Sequence, residues 1–313
     1  MVKYKGREIH ALYDSFTNQK ISQMIDFTKI LIPSRYGNSL LANDLLSFAR
    51  NVNEDTGEIA ESEERTAEYK NMKFKIYPSG RIILQGSWHK YSNDGRNHSD
   101  FNLSSFRAAV IQFCDKFTLD PTELKLLQFE AGVNFAPPER IETVLRSFVC
   151  SNNGSVPFSQ MRSKVGSSLG IEMYRTEYGI KVYDKSKQYN LPSELLRYEI
   201  KFTSSKIFRR TFKVEFLSDL TLHCKWHLIS SKIRYSLKDL ILKEPSFEMS
   251  CLSQSKRNFI IESSVDSYWK GLNRRQRMRS KIRLQKYVEQ FARSDLKESL
   301  HVRIKEKLFL LAA

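Results

Sequence analysis

The sequence predicts an α+β fold: a central antiparallel sheet with helices on one face, followed by a basic, mainly helical C-terminal region. Three observations predict it. Segments that alternate apolar and polar residues are separated by turn chemistry, two segments of helical spacing interrupt them, and beyond Ser204 the alternation gives way to basic, helix-like sequence. The chain has 313 residues, 41% of them hydrophobic, enough to bury a substantial core. The change in character divides it into residues 1–205 and 206–313.

Residues Met24 to Ile32, ended by Pro33, read as the first strand. The segment Asn53 to Glu68 is dense in carboxylates and poor in apolar residues, as expected of an exposed loop. Met72 to Tyr77 alternates, Pro78-Ser79-Gly80 supplies a turn, and Arg81 to Tyr91 resumes as a strand, completing a hairpin. Leu103, Phe106, Val110 and Phe113 fall at helical spacing. Leu126 to Phe135 is a further strand, and Ile141, Val144, Leu145 and Phe148 mark a second helix after Pro137-Pro138. Residues 151–168, rich in Ser, Asn and Gly, read as a flexible link to a pair of strands between Tyr174 and Phe202.

Charge narrows the partner. Fifty-one Lys and Arg against 35 Asp and Glu give a net charge of +16, which favours polyanions through counterion release. Nucleic acid is the leading expectation. The four cysteines, Cys114, Cys150, Cys224 and Cys251, contain no Cys-x-x-Cys pair, so buried thiols in a reducing compartment are expected. Neither a signal peptide's apolar run nor a stretch of ~18 apolar residues is found, which predicts a cytosolic protein with no membrane partner.

The paired strands near Tyr183 carry the densest chemistry. Alternation places Lys181, Tyr183 and Lys185 on one face with Ile180 and Val182 opposite, and Arg197, Glu199 and Lys201 on one face with Leu196, Tyr198, Ile200 and Phe202 opposite. A tyrosine between lysines can be a half-buried strand residue. It can also be a nucleophile whose phenolate and phosphate target are stabilised by the flanking cations. Tyr174 and Tyr178, just before the strand, are rival nucleophiles.

On Phe129 to Phe135, Glu130, Gly132 and Asn134 share a face. The missing side chain at Gly132 signals close approach of a ligand or another backbone. Glu130 and Asn134 lie roughly 13 Å apart on a regular strand, so they reach one ion only if the strand bulges. Ser87 and His89 alternate with Gly86 and Trp88, and a second histidine follows at His98. His89 or His98 beside Glu130 and Glu199 would suit a divalent ion.

A third feature is Tyr268-Trp269-Lys270 followed by Arg274, Arg275, Arg277, Arg279, Lys281, Arg283 and Lys286, with no acidic residue between Trp269 and Lys286. Leu284, Tyr287, Val288 and Phe291 then fall at helical spacing. Such a run is expected to bind phosphate backbone while its apolar side docks the helix.

Gly86-Ser-Trp-His-Lys-Tyr91, Asn97-His-Ser-Asp-Phe101, Phe129-Glu-Ala-Gly-Val-Asn-Phe135, Val182-Tyr-Asp-Lys185 and Leu196-Arg-Tyr-Glu-Ile-Lys-Phe202 together resemble the rolling-circle replication initiators of filamentous phages and small plasmids, the gene II/X-like class. The resemblance spans residues 80–205. It implies an HUH-endonuclease-like sheet in residues 1–205, with Tyr183 as nucleophile, Glu130 and Glu199 as acidic positions and Lys185 as a phosphate contact. It further implies a divalent metal, Mg²⁺ or Mn²⁺, for which the residues themselves offer His89 beside Glu130 and Glu199, and single-stranded or hairpin origin DNA as substrate. Lys181, Arg197, Lys201, Lys270 and the cations Arg274 to Arg283 would hold that DNA. A host polymerase or helicase would be a partner, in the cytoplasm of a bacterial host. No His-hydrophobic-His triplet occurs in the chain. A DNA- or RNA-binding protein without catalysis is the main rival expectation, and an integrase-like recombinase the next.

Overall fold

The computed structural model describes residues 24–49, 64–151, 153–161 and 169–311. Among the described residues, nine strands form one sheet: β1 (Met24–Ile32), β2 (Arg65–Tyr69), β3 (Met72–Ile76), β4 (Ile82–Ser87), β5 (Lys125–Phe135), β7 (Ser159–Gln160), β8 (Gly170–Tyr174), β9 (Tyr178–Asp184) and β10 (Leu196–Phe202). Their order across the sheet is β2-β3-β4-β1-β5-β10-β9-β8-β7, and each neighbouring pair is antiparallel. A separate ribbon pairs β6 (Phe148–Ser151) with β11 (Leu240–Leu242).

One face of the sheet is apolar because alternate residues of every long strand are. Phe74, Leu84, Ile25, Leu126, Phe129, Ala131, Val133, Tyr198, Ile200, Ile180 and Val182 are all buried in a single core. The helix Leu103–Phe117 covers one half of that face. Asn102 caps it by accepting from Ser105 N at 3.0 Å, and Thr118 ends it at φ 52°. Its Phe113 ring stacks on Phe74 with centroids 5.9 Å apart. The helices His223–Ser236 and Leu296–Leu310 share the same core through Trp226, Ile229, Leu300, Ile304 and Leu308. The Tyr198 hydroxyl, on β10, meets Ser236 Oγ at 2.7 Å. Residues on both sides of Ser204 therefore build one hydrophobic core. A smaller cluster of Val149, Cys150, Ile241 and Trp269, with Leu284 packed on it, ties the β6–β11 ribbon to the basic helix Arg274–Phe291.

Several boundaries differ from those read off the sequence. β4 stops at Ser87, whose Oγ accepts from Lys90 N at 3.1 Å and starts the helix Trp88–Ser92, so the alternation expected through His89 is lost. Lys185 opens the helix Lys185–Tyr189, capped by Asp184, instead of continuing β9. The second helix ends at Ser147, and Phe148 begins β6. The predicted acidic loop lies mostly outside the described residues, and its end is β2, paired with β3. Of the predicted link, residues 152 and 162–168 lie outside the described residues, while Ser159–Gln160 pairs with β8. Cys114 and Cys150 are buried as expected, whereas Cys224 and Cys251 are exposed.

Candidate functional site

The second face of the sheet is polar at its centre, and the register there is a grid of three rows. Glu130, Lys201, Gly179 and Tyr174 face one another across β5, β10, β9 and β8; Gly132, Glu199, Lys181 and Glu172 form the next row; Asn134, Arg197, Tyr183 and Gly170 form the third. The pairing of β5 with β10 is continuous, so no bulge brings Glu130 and Asn134 together. What Gly132 accommodates is a neighbouring backbone. A Cβ there would stand 2.5 Å from Tyr198 O and 2.9 Å from Glu199 Cα. Gly170 does the same for Tyr183, since its Cβ would meet Val182 O at 2.2 Å.

A bulge does occur on β1. Ile25 pairs with Ala131 but Thr28 pairs with Phe129, so β1 spends an extra residue and both Asp26 and Phe27 reach the polar side. Asp26 is buried and accepts from Ser87 Oγ, from Asn97 Nδ2 at 2.5 Å and from Arg197 Nη2 at 3.3 Å. Sequence reasoning missed it. Its only signal was a carboxylate inside an apolar strand.

Arg197 organises the centre. Its guanidinium is fully buried and donates to Glu199 Oε2 at 2.6 Å, Asn134 Oδ1 at 3.1 Å and Asp26 Oδ2 at 3.3 Å. Lys181 Nζ bridges Glu130 Oε2 at 2.9 Å and Glu199 Oε1 at 3.2 Å. Glu130 also accepts from Gln128 Nε2 at 3.3 Å, with Lys201 Nζ 3.9 Å away. Burial and the charge of Glu199 push Glu130 up to about 7, while Arg197 and Lys181 outweigh burial and hold Glu199 well below the usual carboxylate range.

These groups border a cavity of about 430 Å³ whose wall includes Asp26, Ser87, Glu130, Lys181, Tyr183, Lys185 and Glu199, with Lys73 and Lys90 adding cations. Tyr183 is nearly buried. Burial first, and then the charge of Glu199, raise its hydroxyl well above the ordinary phenol value. The sequence-based idea that flanking lysines favour a phenolate is therefore corrected: desolvation dominates, and Lys181 is committed to two carboxylates. Lys185 is fully buried and donates to Asn97 Oδ1 at 2.7 Å and Gln188 Oε1 at 2.9 Å, with its Nζ 5.2 Å from the Tyr183 ring centroid. Burial and the nearby Arg197 bring its pKa down to about 7.

Other predicted residues sit elsewhere. His89 is not part of the cavity wall. Its ring stacks on Phe101 with centroids 4.7 Å apart, its Nε2 meets Ser99 Oγ at 2.9 Å, and burial lowers its pKa to about 4. His98 packs against Tyr189. Tyr178 lies on the apolar face, where Arg175 donates to its hydroxyl at 3.0 Å. Tyr174 shares the polar face but covers Gly179, and its hydroxyl donates to Glu172 at 2.9 Å. Burial and that bond push it up to about 12.

The Mg²⁺ or Mn²⁺ that the motif resemblance implies does not fit this arrangement. The ammonium of Lys181 stands between Glu130 and Glu199, where a shared ion would have to lie. Three buried carboxylates, Asp26, Glu130 and Glu199, are already paired with Lys181 and Arg197. Among the described residues, no group of three or more His, Cys, Asp or Glu side chains is placed to hold a metal.

The basic helix Arg274–Phe291 buries none of its residues. Arg274, Arg275, Arg279 and Lys286 are exposed, but Arg277 donates to Leu272 O at 2.6 Å and Trp269 O at 3.3 Å. Arg283 stacks on Phe259, its guanidinium carbon 4.2 Å from the ring centroid, and Lys270 pairs with Asp266 at 2.7 Å. Lys281 is partly buried beside Ile241 and Trp269, in a second cavity.

No family model matches this chain, and no curated protein matches it. Among solved structures, it is similar to a rolling circle replication initiator protein from Geobacillus stearothermophilus. That likeness covers 78% of this chain and 97% of the other, at 10% sequence identity and a TM-score of 0.42. Among the described residues, no helix is long and apolar enough to cross a membrane.

Proposed function

We infer that this chain is a DNA nicking and joining enzyme that uses Tyr183 as nucleophile. The observation that carries the reading is that Tyr183 and Lys185 share the wall of one cavity with the cations Lys73 and Lys90, an environment that attracts a phosphodiester. Burial and Arg197 bring Lys185 down to about 7, and its Nζ lies 5.2 Å from the Tyr183 ring centroid, so in this reading Lys185 is the group that takes the phenolic proton once DNA is bound. The Tyr183 oxygen then attacks phosphorus and the P–O3′ bond breaks. The proton rests on Lys185, the 3′ oxygen takes a proton from solvent, and the DNA is left as a 5′-phosphotyrosine with a free 3′-hydroxyl. Because the covalent link retains the bond energy, the reverse attack by a 3′-hydroxyl rejoins the strand without ATP.

The motif resemblance in residues 80–205 supports placing this chemistry at the origin of a phage or plasmid that replicates by rolling circle, in a bacterial host whose polymerase extends the 3′ end. Residues 206–313 would add duplex affinity through Arg274, Arg275 and Arg279. A second reading, a phosphate-binding DNA protein without catalysis, is favoured by the near-complete burial of Tyr183.

Incubation with labelled single-stranded origin DNA separates the two. The nicking reading expects a denaturant-stable protein–DNA adduct that Tyr183→Phe abolishes while DNA affinity stays nearly unchanged. Binding without any adduct or nick from the wild-type chain would establish the second reading instead.

A further inference from the structure

Every oxygen of the Glu130 and Glu199 carboxylates already has a cationic or amide partner. Lys181 takes one oxygen of each, Arg197 takes the second oxygen of Glu199, and Gln128 with Lys201 takes the second of Glu130. The side chains meet because of register. Lys181 lies directly across from Glu199, Glu130 is one row away, and the bare Gly132 lets β10 close in so that the two carboxylates flank one ammonium.

A divalent ion binds carboxylate oxygens at about 2.0 to 2.1 Å if it is Mg²⁺, so it cannot share this space with an ammonium nitrogen 2.9 and 3.2 Å from the same oxygens. Entry would require displacing Lys181 and placing two further charges near the Arg197 guanidinium, which is fully buried and held by Glu199, Asn134 and Asp26.

We propose that Lys181 is the resident cation of this cavity, standing where a divalent metal would sit, so that the site handles phosphate without one. The second half of that statement rests on the nicking reading; the first half is a property of the folded chain. Lys181 would then be a positioning residue that holds Glu130 and Glu199 together, leaving Lys73 and Lys90 on the cavity wall as the cations the phosphodiester meets.

The test is a Mn²⁺ titration of the intact chain, followed by the electron paramagnetic resonance of free Mn²⁺. Wild type is expected to take up no Mn²⁺ that Glu130→Gln removes, whereas Lys181→Ala should take up a single ion per chain and lose it again when Glu130→Gln is added. Uptake by wild type that Glu130→Gln abolishes would overturn the proposal, as would a folded Lys181→Ala chain that binds none. If Lys181→Ala fails to fold, the wild-type titration still decides the first half.

The second half is decided with wild type alone, by comparing adduct formation on single-stranded DNA in EDTA and in Mn²⁺. Equal rates are expected, and an adduct that forms only with Mn²⁺ would overturn the metal-free site while sustaining the nicking reading. Absence of adduct under every condition would sink the nicking reading and leave the titration to stand by itself.

Discussion

The centre of the sheet and the helix Arg274–Phe291 are both rich in cations, and they use them in opposite ways. At the centre, Arg197, Lys181 and Lys185 are buried or nearly so, and Arg197 and Lys181 each touch two carboxylates. On the helix, Arg274, Arg275 and Arg279 point into solvent. In a low-dielectric setting a charge is held by geometry, and its loss leaves partners stranded. In water it is screened and acts through the counterions it displaces. Composition counts both kinds of cation equally, yet only the first can tune a reacting group and only the second can give strongly salt-dependent affinity.

The largest expected effect breaks the centre. Arg197→Met would leave Asp26 and Glu199 buried without their shared partner, so stability should fall by about 3 to 5 kcal/mol in chemical denaturation. A loss below about 1 kcal/mol would mean that water or Lys181 replaces the guanidinium, and the contrast between the two regions would weaken.

Next comes Lys185→Met, which keeps a similar apolar stem and removes the amine. Because the folded-state pKa is about 7, the wild-type single-turnover rate of adduct formation should rise with pH and level off above about 7, as the amine loses its proton. The variant should be slower by roughly 100-fold and lose that pH step. A variant with an unchanged pH profile would assign the proton to another group.

The smallest effect sharpens the contrast from the other side. Replacing Arg274, Arg275 and Arg279 together with alanine should leave the melting temperature unchanged and flatten the slope of log affinity against log salt by about 2 to 3 units on duplex DNA. Arg277 is left out of that set because its bonds to Leu272 O and Trp269 O anchor the helix. A fall in melting temperature with an unaltered salt slope would show that these side chains support the fold and do not bind phosphate.

The alternating pattern alone determined much of this protein. Lys181 and Tyr183 share a face, Arg197, Glu199 and Lys201 share a face, and β9 and β10 are neighbours, because a period of two leaves a strand little choice once its apolar side is buried. The apolar residues of the helix Leu103–Phe117 were legible for the same reason at a different period. Gly132 announced a close approach, and the structure identified the approaching group as β10.

Tertiary structure decided what those residues face. Asp26 joins the site only through the β1 bulge, which depends on pairing with a strand about a hundred positions away. Ser87 turns the chain into a helix and carries His89 onto Phe101, so a histidine that looked like a ligand became a stacked ring. The placement of Lys181 between Glu130 and Glu199 follows from the register of three strands together. Tyr183 and Lys185 move away from their ordinary pKa values because burial removes water from them, and burial belongs to no single segment. Local sequence fixes periodicity, since that is a property of consecutive residues; register, desolvation and charge pairing are properties of distant ones.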